Sequence, residues 1–292
     1  MTIGFAEQSE KEILAELWKI CFGDEDEYIS GFFENRFNPK ETLVIREDKT
    51  VCSMLFLLPG EVKADGEVFS AAYLYGACTH PDYRSNGYMG ELLDAAKEHC
   101  SKQGIDFICL VPAQESLFSY YAKHGYKNAF EEKTLFLSHR QLRFVADEEA
   151  KIGELTADEM FKVRSAALSS CDCFAWGKEA LKYAILENRL GDGKDVACFE
   201  DGRCVAYALF YEENEKLIVR ECAARRGAFG ALAKALLDST SCDVFFFRLP
   251  LMFPLSADEF KTRYNAMMLP LNSVARAGME NMQNAYMGLT LG

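Results

Sequence analysis

The sequence predicts an α+β fold with α/β character: a mixed, mostly antiparallel sheet flanked by helices, present twice in tandem. Three observations lead there. Apolar strand-like runs at Thr42 to Arg46 and Val51 to Leu58 are joined by the polar turn Glu47-Asp48-Lys49-Thr50. A third run, Glu67 to Cys78, is followed by a loop, a helical pattern and the apolar run Asp106 to Val111, the order of a right-handed crossover between parallel strands. Beyond residue 154 the same order of elements recurs, although the two halves share negligible residue identity. A length of 292 residues with 49% hydrophobic and 13% aromatic content accommodates two cores of ordinary size.

Each element has its own local signal. Residues 10–37 read as one or two amphipathic helices, since Ile13, Leu14, Leu17, Ile20 and Cys21 recur at helical spacing and Gly23-Asp24 is a polar break. The turn Ala64-Asp65-Gly66 leads into the third strand. After Pro81 the helical period returns, with Met89, Leu92, Leu93, Ala96 and Cys100 on one face and Gly104 as a C-terminal stop. A helix over 116–124 ends at Gly125, and Tyr126 to Leu137 supplies one or two closing strands. The charged stretch 139–153 is the linker expected between a first domain, residues 1–138, and a second, residues 154–292. In the second, helices are expected at 157–168, 178–187 and 229–237, and strands at 196–200, 204–211, 216–223 and 244–249.

Lys and Arg total 32 against 45 Asp and Glu, a formal net charge of -13 that repels nucleic-acid phosphates and favours a cationic partner such as an amine, or serves solubility alone. No nucleic-acid partner is expected. The 11 cysteines are scattered through strand-like and helical runs, as small buried hydrophobes in a reducing cytoplasm would be. The close pair Cys171 and Cys173 has neither a matching pair nor a nearby His, so no metal site is expected. The first residues carry no basic patch followed by an apolar run, and the most apolar stretch, Val244 to Leu255, is broken by Arg248, Pro250 and Pro254. It is too short to span a bilayer, and a soluble protein without membrane association is expected.

The segment Thr79 to Gly90, THPDYRSNGYMG, is where chemistry is expected. Between a strand and a helix, Gly87 permits a backbone conformation that side chains oppose, and the N–H groups from Ser85 and Asn86 through Tyr88 and Met89 to Gly90 are free at the helix start. Such a nest, reinforced by the helix dipole, suits a diphosphate. The loop has no Walker lysine and no GxGxxG pattern, which argues against nucleotide hydrolysis and dinucleotide binding. Pro81, Arg84 and Gly87 match the Pro-x-x-Arg/Gln-x-x-Gly-x-Gly/Ala loop of the GNAT acetyltransferase superfamily, which this sequence resembles. Met89 stands where Gly or Ala is usual, a departure familiar among members of the enhanced-intracellular-survival type. Downstream, Tyr120-Tyr121-Ala122-Lys123-His124-Gly125-Tyr126 matches the family's aromatic-Tyr-x-x-x-Gly-aromatic segment.

The resemblance implies a GNAT fold, an acyl-CoA-dependent N-acyltransferase and acetyl-CoA as co-substrate. Its pyrophosphate would lie on the backbone of Ser85 to Gly90 beside Arg84, and its pantetheine arm would pair like a strand with Ala77, Cys78 and Thr79. The acceptor would be a primary amine of a small molecule or peptide, attacking the thioester directly, with a backbone N–H near Cys78 or Thr79 facing the developing oxyanion. Tyr121 stands at the family's general-acid position, or packs in the core. The family's usual Glu base is absent from Ser70 to Gly76, where Tyr73 and Tyr75 share a face and either line the acceptor cleft or fill the core.

In relatives of the enhanced-intracellular-survival type the C-terminal carboxylate enters the active site, and the apolar run Tyr286 to Gly292 would allow Gly292 the same role. His80, His99, His124 and His139 read as structural or solvated. The matching loop of the second half, Ala224-Arg225-Arg226-Gly227, lacks the full motif. That half is expected to be degenerate and to complete the acceptor site, its basic pair solvated or holding a phosphate. A non-catalytic acyl-CoA-binding sensor is the alternative from another class.

Overall fold

The computed structural model describes residues 1–255 and 260–291, and the chain forms two compact units. The first comprises Met1–Ala129 and Asn265–Met282 with Leu291; the second comprises Phe130–Tyr264 and Gln283–Thr290.

The first unit begins with β1 (Thr2–Phe5), α1 (Lys11–Phe22) and α2 (Asp26–Asn35). Helix α1 turns Leu14, Leu17 and Trp18 inward and stops at Gly23, whose φ of 76° lets its N–H reach the Lys19 carbonyl at 2.9 Å. The antiparallel strands β2 (Thr42–Glu47), β3 (Thr50–Ala64) and β4 (Glu67–Thr79) follow. Their tight turns use left-handed residues, Asp48 and Lys49 in the first and Asp65 and Gly66 in the second. Helix α3 (Tyr88–Lys102) crosses to β5 (Phe107–Leu110), which is parallel to β4, and α4 (Glu115–Lys123) comes next.

Because side chains alternate across a strand, Leu55, Leu57 and Leu74 pack towards Leu92, Leu93 and Ala96 of α3, while Phe56 and Tyr75 join an aromatic cluster with α1 and α2. In that cluster the Trp18 ring lies 4.8 Å from Phe32 and 5.5 Å from Tyr75, centre to centre. A bulge interrupts the β3–β4 ladder beneath it: Met54 faces Cys78 and Phe56 faces Tyr75, so Leu55 alone opposes Gly76 and Ala77. Gly76 has φ 55°, and a Cβ there would stand 2.8 Å from the Phe56 ring. Only glycine meets both demands.

The second unit opens on β6 (Lys127–Ser138) and α5 (His139–Val145), then β7 (Ile152–Gly153), α6 (Ala157–Ala167), β8 (Cys173–Ala175) and α7 (Lys178–Leu190). Antiparallel β9 (Lys194–Glu200), β10 (Arg203–Glu213) and β11 (Lys216–Ala224) lead through α8 (Phe229–Asp238) to β12 (Val244–Leu249), parallel to β11. Strand β6 lies antiparallel to β12, giving the order β6-β12-β11-β10-β9-β7. The succession of β2 to β5 thus recurs in β9 to β12, as the sequence pattern predicts.

The interior of this unit holds a buried ion pair. Arg164 Nε donates to Glu221 Oε1 at 2.8 Å, which also accepts from the Tyr207 hydroxyl at 3.0 Å. The remaining Arg164 donors hold the carbonyls of Phe174 at 2.9 Å and Met287 at 3.2 Å. Burial, the largest single influence, opposes the Arg164 charge, but Glu221, Tyr207 and Cys173 together offset it and push the arginine pKa up. One side chain therefore ties α6 to β11, β8 and the C-terminal segment.

The end of the chain departs from expectation. Strand β13 (Phe260–Pro270) and helix α9 (Ser273–Asn281) have no counterpart among the expected elements. In the first unit, Met267 to Pro270 pair antiparallel with Leu110 to Phe107 of β5, and Met267 and Leu269 enter its core. The run expected to close the first sheet, Tyr126 to Leu137, becomes β6, whose Leu135 and Leu137 lie in the second unit's core. The compact units are therefore not the collinear blocks 1–138 and 154–292. Within the expected linker 139–153, α5 is a packed helix: Ser138 and Gln141 form a reciprocal capping box and Leu142 is fully buried. Alternating apolar residues announce a strand but not the sheet it joins.

Two substitutions test these packing arguments by urea denaturation. Gly76→Ala should cost about 1–3 kcal/mol, because it overpacks against Phe56 and strains a left-handed φ. Arg164→Met should cost about 3–5 kcal/mol, because it strands the Glu221 carboxylate in the core.

Candidate functional site

Strands β4 and β5 are locked together at one end only. Asp106, just before β5, accepts with Oδ2 from the Ser70 N–H at 2.9 Å and the Ser70 hydroxyl at 2.8 Å, and with Oδ1 from Asn272 Nδ2 at 2.8 Å. Parallel pairing then runs from Ala71 opposite Phe107 to Tyr73 opposite Cys109 and stops. Past it β4 continues to Thr79 with β3 as its partner. Among the described residues, the other edge of β4 from Gly76 to Thr79 pairs with no strand.

The chain leaves β4 through a tight turn at Pro81–Tyr83, capped by His80, whose Nδ1 accepts from the Asp82 N–H at 3.2 Å. Ser85 (φ 68°) and Gly87 (φ 83°) both adopt left-handed backbone, and α3 begins at once. The backbone N–H groups of Ser85 through Gly90 have no partner among the described residues; the first that does is Glu91, bonded to the Gly87 carbonyl at 3.2 Å. They lie at the positive end of the α3 dipole. Nothing stands within 4 Å of a Cβ position at Gly87, so that glycine serves its φ, whereas a Cβ on Gly90 would meet the His124 ring at 3.2 Å. Gly90 is therefore a close-approach residue.

The structure brings the expected donor-site residues into one continuous tract. Ala77, Cys78 and Thr79 form the free end of β4, and Arg84, Ser85, Asn86, Gly87, Tyr88, Met89 and Gly90 form the turn. Several side chains are occupied locally. Arg84 Nε donates to the Thr79 carbonyl at 3.1 Å and Asn86 Nδ2 to the Tyr83 carbonyl at 3.2 Å. The Tyr88 hydroxyl donates to Glu47 Oε1 at 2.6 Å, and that carboxylate pushes the phenol up to about 12. What Tyr88 offers outward is its backbone N–H.

Tyr121 of α4 is buried in the cluster that also holds Leu74, Leu110 and Tyr126, with Ala77 packed on it, and burial pushes its pKa up to about 12. Tyr73 and Tyr75 are both buried and stack 6.2 Å apart, Tyr75 inside the aromatic cluster. His124 packs under Gly90 and His99 against Phe5 at 4.7 Å, as structural histidines do. Gly292 lies outside the described residues.

Some contributors carry weak sequence signals. Ser53 is the polar member of an otherwise apolar run, and its hydroxyl bonds the Cys78 carbonyl at 2.9 Å and Thr79 Oγ1 at 2.8 Å. Asp106 reads only as the polar first residue of the apolar run to Val111. Cys21, whose Sγ donates to the Thr79 carbonyl at 3.5 Å, reads only as one more residue on a helical face.

The second unit repeats the backbone device without its chemistry. Parallel pairing of β11 with β12 ends at Val219 opposite Phe247, the β10–β11 ladder carries a bulge at Arg220, and Gly227 (φ 89°) leads into α8. A cavity of about 680 Å³ opens there, lined in part by Glu221, Cys222, Arg225, Arg226, Phe229 and Tyr286. Here the residue after the left-handed glycine, Ala228, spends its N–H on the Arg225 carbonyl at 2.9 Å, where Tyr88 after Gly87 does not, and the Asp147 carboxylate crowds Gly230 in the first turn of α8. Among the described residues no His, Cys, Asp and Glu group could hold a metal ion, and no helix is long and apolar enough to cross a membrane.

A strand that parts from its parallel neighbour and passes through a left-handed turn into a helix with free N–H groups defines an acyltransferase fold of the GNAT class. Residues 2–129 match the family model described as an acetyltransferase (GNAT) domain. Solved structures agree in fold. A GCN5-related N-acetyltransferase from Anabaena variabilis superposes with TM-score 0.75 at 16% identity, over 93% of this chain and 73% of that one. One from Kribbella flavida gives 0.73 at 14%, over 94% and 73%. Eis1 from Mycobacterium abscessus gives 0.70 at 14%, over 93% and 74%. No curated protein matches the chain by sequence.

The turn itself can be tested without any ligand. Gly87→Ala forces a Cβ into the left-handed region and should lower stability by about 1–2 kcal/mol, read as a lower urea midpoint at unchanged slope.

Proposed function

We propose that the first unit is an N-acetyltransferase that moves an acetyl group from acetyl-CoA to a primary amine of a small molecule or peptide. The observation that carries this reading is the edge of β4 from Gly76 to Thr79, which pairs with no strand among the described residues and leads into the N–H groups of Ser85 to Gly90. An extended pantetheine arm would pair with Ala77, Cys78 and Thr79 as an added strand. The pyrophosphate would sit on the turn, where backbone N–H groups, the α3 dipole and Arg84 supply positive potential. The co-substrate contributes the activated thioester, and the chain contributes position, an oxyanion donor and a proton.

A backbone N–H near Cys78 or Thr79, at the bulged end of β4, faces the oxygen that gains charge. Tyr121 delivers the proton to the departing thiolate. Its pKa of about 12 keeps the phenol neutral throughout the neutral range, so the proton is still there when the thiolate forms. The net charge of -13 draws a cationic amine towards the protein at long range.

Thiol release with acetyl-CoA and a panel of amines tests the assignment. Tyr121→Phe should lower kcat by about 100-fold or more while acetyl-CoA affinity holds. With the folded pKa above the ordinary tyrosine value, the wild type should show no alkaline loss of kcat traceable to Tyr121 until the pH nears 12. Tight acetyl-CoA binding without transfer to any amine would instead identify a sensor.

A further inference from the structure

Two thiols meet where α1 reaches the end of β4, in a setting that acyl transfer does not use. Cys21 lies in the last turn of α1 and is partly exposed; Cys78 is buried in β4. The Cys21 Sγ donates at 3.5 Å to the carbonyl of Thr79, the residue that follows Cys78 in β4. Arg84 donates to the same Thr79 carbonyl at 3.1 Å, which sets its guanidinium beside Cys21. The Cys78 hydrogen bond, opposed by burial and assisted by Arg84, lowers the Cys21 thiol to about 7. Cys78, bonded to Cys21 and buried, stays protonated well above the ordinary range. Cys171, the other partly exposed thiol, is pushed up by burial, as are Cys100, Cys109, Cys198 and Cys222. A partly exposed, acidified thiol beside a cation, with a second cysteine one residue from its hydrogen-bond partner, is the arrangement that peroxide oxidises selectively.

We propose that Cys21 and Cys78 are a redox pair that hydrogen peroxide closes to a disulfide, disturbing the donor turn that begins at Thr79. The Cys21 thiolate attacks one peroxide oxygen, the O–O bond breaks, and the departing hydroxide takes up the proton that Cys21 gave up, leaving a sulfenic acid and one water. The Cys78 sulfur then attacks the sulfenic sulfur; the S–S bond forms, the S–O bond breaks, and the hydroxide leaves with the Cys78 proton as a second water. A disulfide holds its sulfurs about 2.05 Å apart, closer than any thiol hydrogen bond, so Cys78 and the last turn of α1 must draw together. Thr79 follows Cys78, and its carbonyl is the anchor of Arg84. This consequence rests on assigning the turn to acetyl-CoA, whereas the disulfide itself does not.

Reduced full-length protein treated with stoichiometric hydrogen peroxide should lose about 2 Da, and peptide mapping should join Cys21 to Cys78, reversibly with dithiothreitol. Acetyl-CoA, which has no free thiol, should bind about tenfold more weakly by calorimetry after oxidation and recover on reduction. Cys21→Ser should be indifferent to peroxide, its acetyl-CoA affinity the same before and after treatment. Oxidation of Cys21 to a sulfinic acid without a bond to Cys78, or a bond confined to other cysteines, would overturn the pair. A Cys21–Cys78 disulfide with unchanged acetyl-CoA affinity would overturn the regulation. If the reduced protein binds no acetyl-CoA, the donor assignment fails and the disulfide stands or falls on its mass alone.

Discussion

Strand β4 is bonded to β5 only from Ala71 to Tyr73, and the candidate site is built on that partial pairing. Asp106 and Ser70 hold the strands together at one end. At the other, the extra residue at Gly76 and Ala77 increases the local twist and turns the last part of β4 away from its neighbour. The bulge persists because a glycine there leaves room for the Phe56 ring, itself fixed by Trp18 and Phe32. An aromatic cluster on one face of the sheet thus sets the backbone that an acyl donor would meet at the strand edge.

Most of what this tract offers a ligand is backbone. The N–H groups of Ser85 to Gly90 carry positive potential whatever side chains they bear, so the demand on sequence falls on the residues that shape the turn: Pro81, Gly87 and Gly90. The second unit shows the same backbone logic at Arg220 and Gly227, yet there the turn closes on its own N–H and an acidic side chain faces the helix start. Its interior is instead anchored by Arg164 and Glu221, a pair whose geometry serves cohesion.

What the sequence made legible was local. The helical face of Leu92, Leu93 and Ala96, the turn residues Asp65 and Gly66, and the loop from Pro81 to Gly90 all appear where periodicity and turn chemistry put them. The aromatic segment around Tyr121 could be placed on a helix ending at Gly125, but its packing against Leu74 and Leu110 could not. Cys21 was visible only as an apolar-face residue, because its neighbours Cys78 and Arg84 lie far along the chain.

The sequence by itself determined the kinds and order of the elements from β2 to α4 and from β9 to β12, the repeat of that order and the motif within residues 2–129, which match a GNAT domain model. Spacing of apolar residues and the φ preferences of glycine and proline act over a few residues, so a single chain states them fully. Tertiary structure alone decided that β6 pairs with β12 while Met267 to Pro270 of β13 pair with β5, and that Cys21 and Arg84 converge on the Thr79 carbonyl. Strand partners are chosen by burial and register across hundreds of residues, and an alternating pattern is equally compatible with either sheet until both are assembled.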